Sequence, residues 1–199
     1  IPVVPNVKLA QRVQAHGADA LVVEGMEAGG HDGKLTLMAL LENVLPDIEI
    51  PVIAAGGIAD GRGIAASLLM GASGVQMGTR FLLAEECSLH PKAKDAIMAA
   101  ADTDSVVTGF TTGDSVRGLK NRFSDRYLKA EYSGASPDEL SSISAGTTKR
   151  GALFGDTENG FILAGMSLTH LTKIQSAKEI VEELVSETER RLAAAPGLI

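Results

Sequence analysis

The loop that follows the apolar run Ala20-Leu21-Val22-Val23 holds the residues best suited to chemistry: Glu24-Gly25-Met26-Glu27-Ala28-Gly29-Gly30-His31, with Gly33 close behind. Imidazole titrates near neutral pH, so a histidine can give or take a proton where carboxylates stay ionised. Adjacent glycines have no Cβ and let backbone approach a ligand closely. An acid, a glycine pair and a histidine at the end of an apolar run predict an active-site loop, with His31 as its catalytic or substrate-contacting group. Packing of the loop is the competing explanation. The other histidines suit structural or surface roles: His16 precedes Gly17 at a helix end, where a cation complements the dipole. His90 precedes Pro91 in a turn, and His170 falls in a late helix.

Two further loops repeat the pattern. Ile50-Pro51-Val52-Ile53-Ala54-Ala55 stops at Gly56-Gly57-Ile58-Ala59-Asp60-Gly61, and Gly74-Val75-Gln76-Met77 stops at Gly78-Thr79-Arg80-Phe81. Glycines between a strand and a helix start present bare N–H groups to an anion. One Gly-Gly step alone amounts to a tight turn; two such loops on neighbouring strands point to a bound phosphate. Asp60 suits the N-cap of the next helix. Arg80 is open to a phosphate or an acidic partner.

These loops need strands to hold them and helices between. Ile1-Pro2-Val3-Val4 is a fourth short apolar run, and helical spacing covers Val7 to His16, Leu35 to Leu45 and Gly63 to Met70. Strand and helix thus alternate, as in a parallel sheet. Continuous apolar strands imply burial on both faces. Four such units are too few to close a (β/α)8 barrel of about 250 residues. The expected fold is therefore α/β: the C-terminal half of a TIM-type barrel plus a small helical cap, its N-terminal half-barrel missing and acting as a partner. Residues 1–90 would form the half-barrel and 91–159 the cap and substrate region, with helices from Pro91 to Ala101 and from Asp114 to Ala130 and a linker over Ser133–Glu139. Residues 160–199 would return to the barrel wall through a helix from Lys173 to Ala194, whose Glu179, Glu182, Glu183 and Glu187 form a solvated face.

Composition narrows the function. Hydrophobic residues at 45% can build a core, and no run reaches the roughly 18 apolar residues of a membrane helix. A formal charge of −7 with two tyrosines and no tryptophan argues against nucleic acid. The single cysteine, Cys87, excludes an internal disulfide, fits a reducing cytoplasm and lacks metal-ligand spacing, so no metal site is expected. The basic cluster Lys120-Asn121-Arg122, with Lys149-Arg150, could receive an acidic carrier protein or a dinucleotide phosphate; a solvated helix face is the simpler explanation. GxGxxG is absent.

The three glycine segments together, with Val116-Arg117-Gly118-Leu119-Lys120-Asn121, resemble the flavin-dependent enoyl-acyl-carrier-protein reductase II family, the FabK type, within the nitronate monooxygenase superfamily. The likeness runs from Ile1 to about Ala164. It implies noncovalent FMN, with Glu24 and Gly25 near the flavin, Gly56, Gly57, Gly78 and Thr79 on its phosphate, and Gly29, Gly30 and Ala55 also lining the cofactor. It implies that His31 faces substrate, that NADH or NADPH is co-substrate, that the substrate rides on acyl carrier protein, and that a homodimer is compatible. Ala164-Gly165-Met166 departs from the family's Ala-Gly-Gln, which puts a polar contact for substrate in doubt. Nitronate monooxygenation is the neighbouring alternative, although Met26-Glu27 looks more like the reductase. An inactive or complementing piece that only binds phosphate is the alternative of another class.

Overall fold

The structure, a computed structural model, describes residues 1–198. From the N-terminus it runs through β1 (Val3–Val4), α1 (Val7–Ala15), β2 (Leu21–Glu24), β3 (Gly30–His31), α2 (Leu37–Val44), β4 (Val52–Ala55), α3 (Gly61–Met70), β5 (Gly74–Gln76) and α4 (Thr79–Leu82). Strands β1, β2, β4 and β5 form one parallel sheet in that order. Register sets Glu24 beside Ala55 and Ala55 beside Gln76, so the carboxyl ends of three strands finish level at one rim.

The apolar runs explain this layer. Leu21, Val23, Val52 and Ala54 are buried against Leu40, Leu41 and Val44 of α2 and Ala10 of α1. The buried positions of α2, Leu37, Leu40, Leu41 and Val44, recur at the helical period and make one apolar stripe. Truncating Leu40 or Leu41 to alanine would cost about 2–5 kcal/mol each. Helix starts follow side-chain caps: Asn6 accepts from the Leu9 N–H, and Asp60 accepts from the N–H groups of Arg62 and Gly63, the role its position suggested.

The second half continues with α5 (Pro91–Ala99), β6 (Ser105–Thr108), β7 (Val116–Leu119), α6 (Arg122–Tyr132), α7 (Pro137–Ser144), α8 (Thr147–Phe154) and α9 (Ala177–Ala194). Strands β3, β7 and β6 build a separate antiparallel sheet. The cap is therefore not purely helical, and the helix expected from Asp114 to Ala130 is two elements. Val116–Leu119 pairs with Ser105–Thr108, and Asn121 then opens α6 through a reciprocal capping box with Ser124. Charges at helical spacing had hidden a four-residue strand that long-range pairing stabilises. His170 lies in a turn, not a helix.

Helix α9 packs along α3 and starts at Ala177, four residues later than expected, where Ser176 and Glu179 form a capping box. Glu179, Glu182 and Glu183 are exposed, as expected of a solvated face, while Glu187 is half-buried, and two of these acids also hold neighbouring groups. Glu187 accepts from the Gly61 N–H at 3.0 Å, and Glu183 accepts from Lys173 at 2.5 Å and Gln175 at 2.8 Å. The region expected to end at Ile199 reaches a residue outside those described. Among the described residues no helix is long and apolar enough to cross a membrane.

Candidate functional site

The loops after β2, β4 and β5 meet at the strand rim around a cavity of about 250 Å³. Of the residues expected at a cofactor, Glu24, Gly29, Ala55, Gly56, Gly57, Gly78 and Thr79 line it; Gly25 and Gly30 do not. Gly25 instead donates its N–H to Ala55 and packs against the start of α2, where a Cβ would stand 2.6 Å from the Leu37 nitrogen. Among the described residues, no protein atom accepts from the N–H groups of Gly57, Gly78 and Thr79. Unengaged N–H groups presented together by two adjacent loops at the cavity wall form a concave set of donors suited to an anion. Gly57 holds φ +71°, a conformation that favours glycine, whereas Gly78 sits at φ −104° with open space where a Cβ would stand. The residues present therefore fit a phosphate-bearing ligand.

One extended stretch, which sequence reading missed as a site element, closes the cavity. Gly165 donates to the Thr79 hydroxyl at 2.9 Å, Met166 donates its N–H to the Glu27 carbonyl at 2.9 Å, and Ser167 donates to the Gly57 carbonyl at 2.5 Å. It ties together all three glycine loops. A Cβ on Gly29 would stand 2.5 Å from the Ala164 carbonyl carbon, so this loop cannot carry a side chain there. The Met166 side chain is 43% exposed and lines a neighbouring surface groove, away from the glycine cavity. Glu27 points both carboxylate oxygens at the Leu37 N–H and so caps α2.

Charge is concentrated beneath the first loop. Burial pushes the Glu24 carboxyl above its ordinary pKa, the Asp32 charge adds to this, and His31 opposes it. Asp32 lies 3.7 Å from Arg117, both side chains almost fully buried, and its second oxygen has no partner among the described residues. Arg117 also donates to the Met26 carbonyl at 2.9 Å and the Ser105 hydroxyl at 3.2 Å, fastening the loop to the antiparallel sheet. Burial lowers its guanidinium pKa against the pull of Asp32 and Glu27.

His31 is placed otherwise than the glycine pattern suggests. It belongs to β3, and its side chain is 79% exposed with Nε2 3.1 Å from Asp114. It lines the adjoining groove rather than the glycine cavity, and Leu163 lines both. Asp114 is a residue that sequence reading did not single out, being brought in by the β3–β7 pairing. Arg80 turns from the cavity to donate to Gln175 at 2.5 Å and lies 4.0 Å from Glu183. His90 caps α5 by accepting from the Lys92 N–H, and Asn121 donates to the carbonyls of Thr157 and Gly160.

A family model described as nitronate monooxygenase matches residues 1–187. Probable nitronate monooxygenases of Staphylococcus aureus strains MSSA476 and JH9 are each 36% identical, over 86% of this chain and 51% of their own length. The chain thus spans about half the length of these curated relatives. The solved structure of FabK from Thermotoga maritima is 39% identical with a TM-score of 0.95, over 100% of this chain and 63% of that one. A nitroalkane oxidase of Streptomyces ansochromogenes follows at 31% identity and TM-score 0.83, over 97% of this chain and 58% of the other.

Proposed function

Because the chain belongs to the nitronate monooxygenase family, we propose that its glycine cavity holds FMN for flavin-dependent oxidoreduction, and that the reaction is NADH- or NADPH-driven reduction of a trans-2-enoyl thioester on acyl carrier protein. The observation that carries the cofactor assignment is the set of unengaged N–H groups at Gly57, Gly78 and Thr79, which suits the phosphate of FMN. The likeness to FabK, closer in identity and TM-score than that to the nitroalkane oxidase, favours the reductase. On this reading the parallel sheet is half of a (β/α)8 barrel, with residues 91–159 as its cap.

Bound flavin would supply hydride transfer between nicotinamide and substrate. The chain itself binds and moves protons. Gly57, Gly78 and Thr79 would hold the phosphate through backbone, while the Thr79 hydroxyl accepts from the Gly165 N–H and keeps its own O–H to donate. Asp114 at Nε2 of His31 favours the tautomer with hydrogen on that nitrogen, leaving Nδ1 as the working nitrogen. From there His31 protonates the substrate α-carbon or orients the thioester.

Nitronate oxidation is the second reading, favoured by the family model and the curated relatives. There His31 would take a proton and oxygen would be the oxidant. Stopped-flow spectra of wild type and His31→Ala separate the two. For the reductase, flavin reduction by NADH or NADPH survives in the variant while reoxidation by enoyl thioester slows about 10²–10⁴-fold. For the monooxygenase, nitronate oxidation collapses and the nicotinamide is irrelevant. Unchanged rates in both half-reactions would remove His31 from the mechanism.

A further inference from the structure

We propose that Glu131 is a positioning residue for His31: its buried carboxylate fixes the turn between β6 and β7 and so holds Asp114 at the imidazole. The inference deepens the functional reading above and rests on it for His31 as the proton-handling group. His31 and Asp114 meet at 3.1 Å with side chains 79% and 76% exposed. A pair that open to water is weak and does not fix its own geometry. The turn that carries Asp114 must therefore be held from elsewhere.

It is tethered from beneath by α6. Glu131 is 3% exposed, and it accepts from the Gly109 N–H at 3.2 Å, the Thr111 N–H at 2.8 Å and the Thr111 hydroxyl at 2.9 Å. Among the described residues no cation pairs with it, so these three donors are what satisfy the buried group. Local rules also disfavour the residue here, because a carboxylate in the last turn of a helix opposes the dipole. Its partners lie on the turn instead. Gly109 passes the constraint on: at φ +80° a Cβ there would collide with the Asp114 carbonyl oxygen, so the two backbones lie against each other. The Thr112 hydroxyl donates to the Gly109 carbonyl at 2.9 Å and closes the turn on itself. Pairing of β3 with β7 sets His31 opposite Val116, two residues beyond Asp114. Contacts thus run from Glu131 through Gly109 to Asp114 and end on Nε2 of His31. Tyr127, four residues before Glu131 on α6, feels both acids: burial raises its pKa, and the charges of Glu131 and Asp114 raise it further.

The test reads the His31 Nε2 resonance in flavin-loaded protein carrying 15N-histidine at alkaline pH, assigned by its loss in His31→Ala. A carboxylate accepting from Nε2–H moves that nitrogen downfield, and Asp114→Ala gives its position without one. Glu131→Gln replaces an accepting oxygen by an NH2 that faces the donors of the turn. It should carry the resonance towards the Asp114→Ala position and change nothing further in the double variant. The substrate half-reaction should slow by up to about 100-fold in Glu131→Gln alone and show no added loss in the Asp114→Ala background. Matching thermal melts show that the variants fold. Should Glu131→Gln not fold, Thr111→Val, on an exposed residue, should move the resonance the same way and Thr111→Ser should keep it in place. A resonance unmoved by the Glu131 or Thr111 change, or moved equally with and without Asp114, overturns the proposal. A resonance that moves as expected while His31→Ala, Asp114→Ala and Glu131→Gln all leave both half-reactions at wild-type rates keeps the tether and overturns the reading of His31 alone.

Discussion

Replacing Arg117 by methionine keeps an unbranched apolar stem and removes the charge, so it isolates the buried pair under the glycine loop. Arg117 and Asp32 have side chains only 6% and 5% exposed, and the guanidinium also donates to Met26 and Ser105. Arg117→Met leaves the Asp32 carboxylate buried without a counter-charge, on top of one oxygen that already lacks a partner among the described residues. Breaking one side of such a pair costs about 3–5 kcal/mol, against a total stability of about 5–15 kcal/mol. In a chain of 199 residues, about 2–4 °C per kcal/mol translates this into a melting point lower by about 6–20 °C. Adding Asp32→Asn removes the stranded charge and should recover most of the loss. The assay is urea unfolding of both single variants and the double, with equal m-values to confirm that only stability changed. A single variant costing under about 1 kcal/mol, or a double variant costing the sum of the two, would refute the argument.

Two further outcomes follow from the same geometry. Gly78→Val should fold normally, because nothing stands within 4 Å of its added Cβ and its φ is ordinary, yet lose flavin. Gly57→Val should lose both stability and flavin, since φ +71° and the Glu27 Cβ at 3.2 Å strain the backbone itself. Flavin retained at full stoichiometry by both variants would dismiss the cradle. For Glu24, a folded pKa raised above the ordinary 4.5 means that its contribution is fully present below the unfolded value and is lost as pH rises through the raised folded value. Glu24→Gln should flatten the stability profile across that window and exceed wild type at neutral pH. Urea midpoints from acid to neutral pH measure it, and parallel profiles would contradict the assignment.

Much of the fold and the site was legible wherever short-range rules govern. Helix α1 was expected from Val7 to His16 and runs Val7–Ala15, with Asn6 capping it and Gly17 beyond. Asp60 caps α3 because a carboxylate two and three residues ahead of free N–H groups needs no distant partner. Apolar runs ending in glycine marked the three loops at the strand rim, and seven of the residues expected at a cofactor line one cavity there. The strand Val116–Leu119 escaped notice because its stability comes from β6 and β3, not from its own composition.

Composition and local spacing by themselves determined the alternation of strand and helix, the caps, and the clustering of glycines after strands. These depend on backbone dihedrals and on hydrogen bonds spanning a few residues. Tertiary structure alone decided what the loops enclose. Gly165 reaches Thr79 across 86 residues, Arg117 reaches Met26 across 91, Ser167 reaches Gly57 across 110 and Glu187 reaches Gly61 across 126. It also decided that His31 turns to Asp114 in the adjoining groove and away from the glycine cavity. Such contacts carry no periodic signal, because the chain between the partners sets their meeting through packing of whole layers rather than through any local preference.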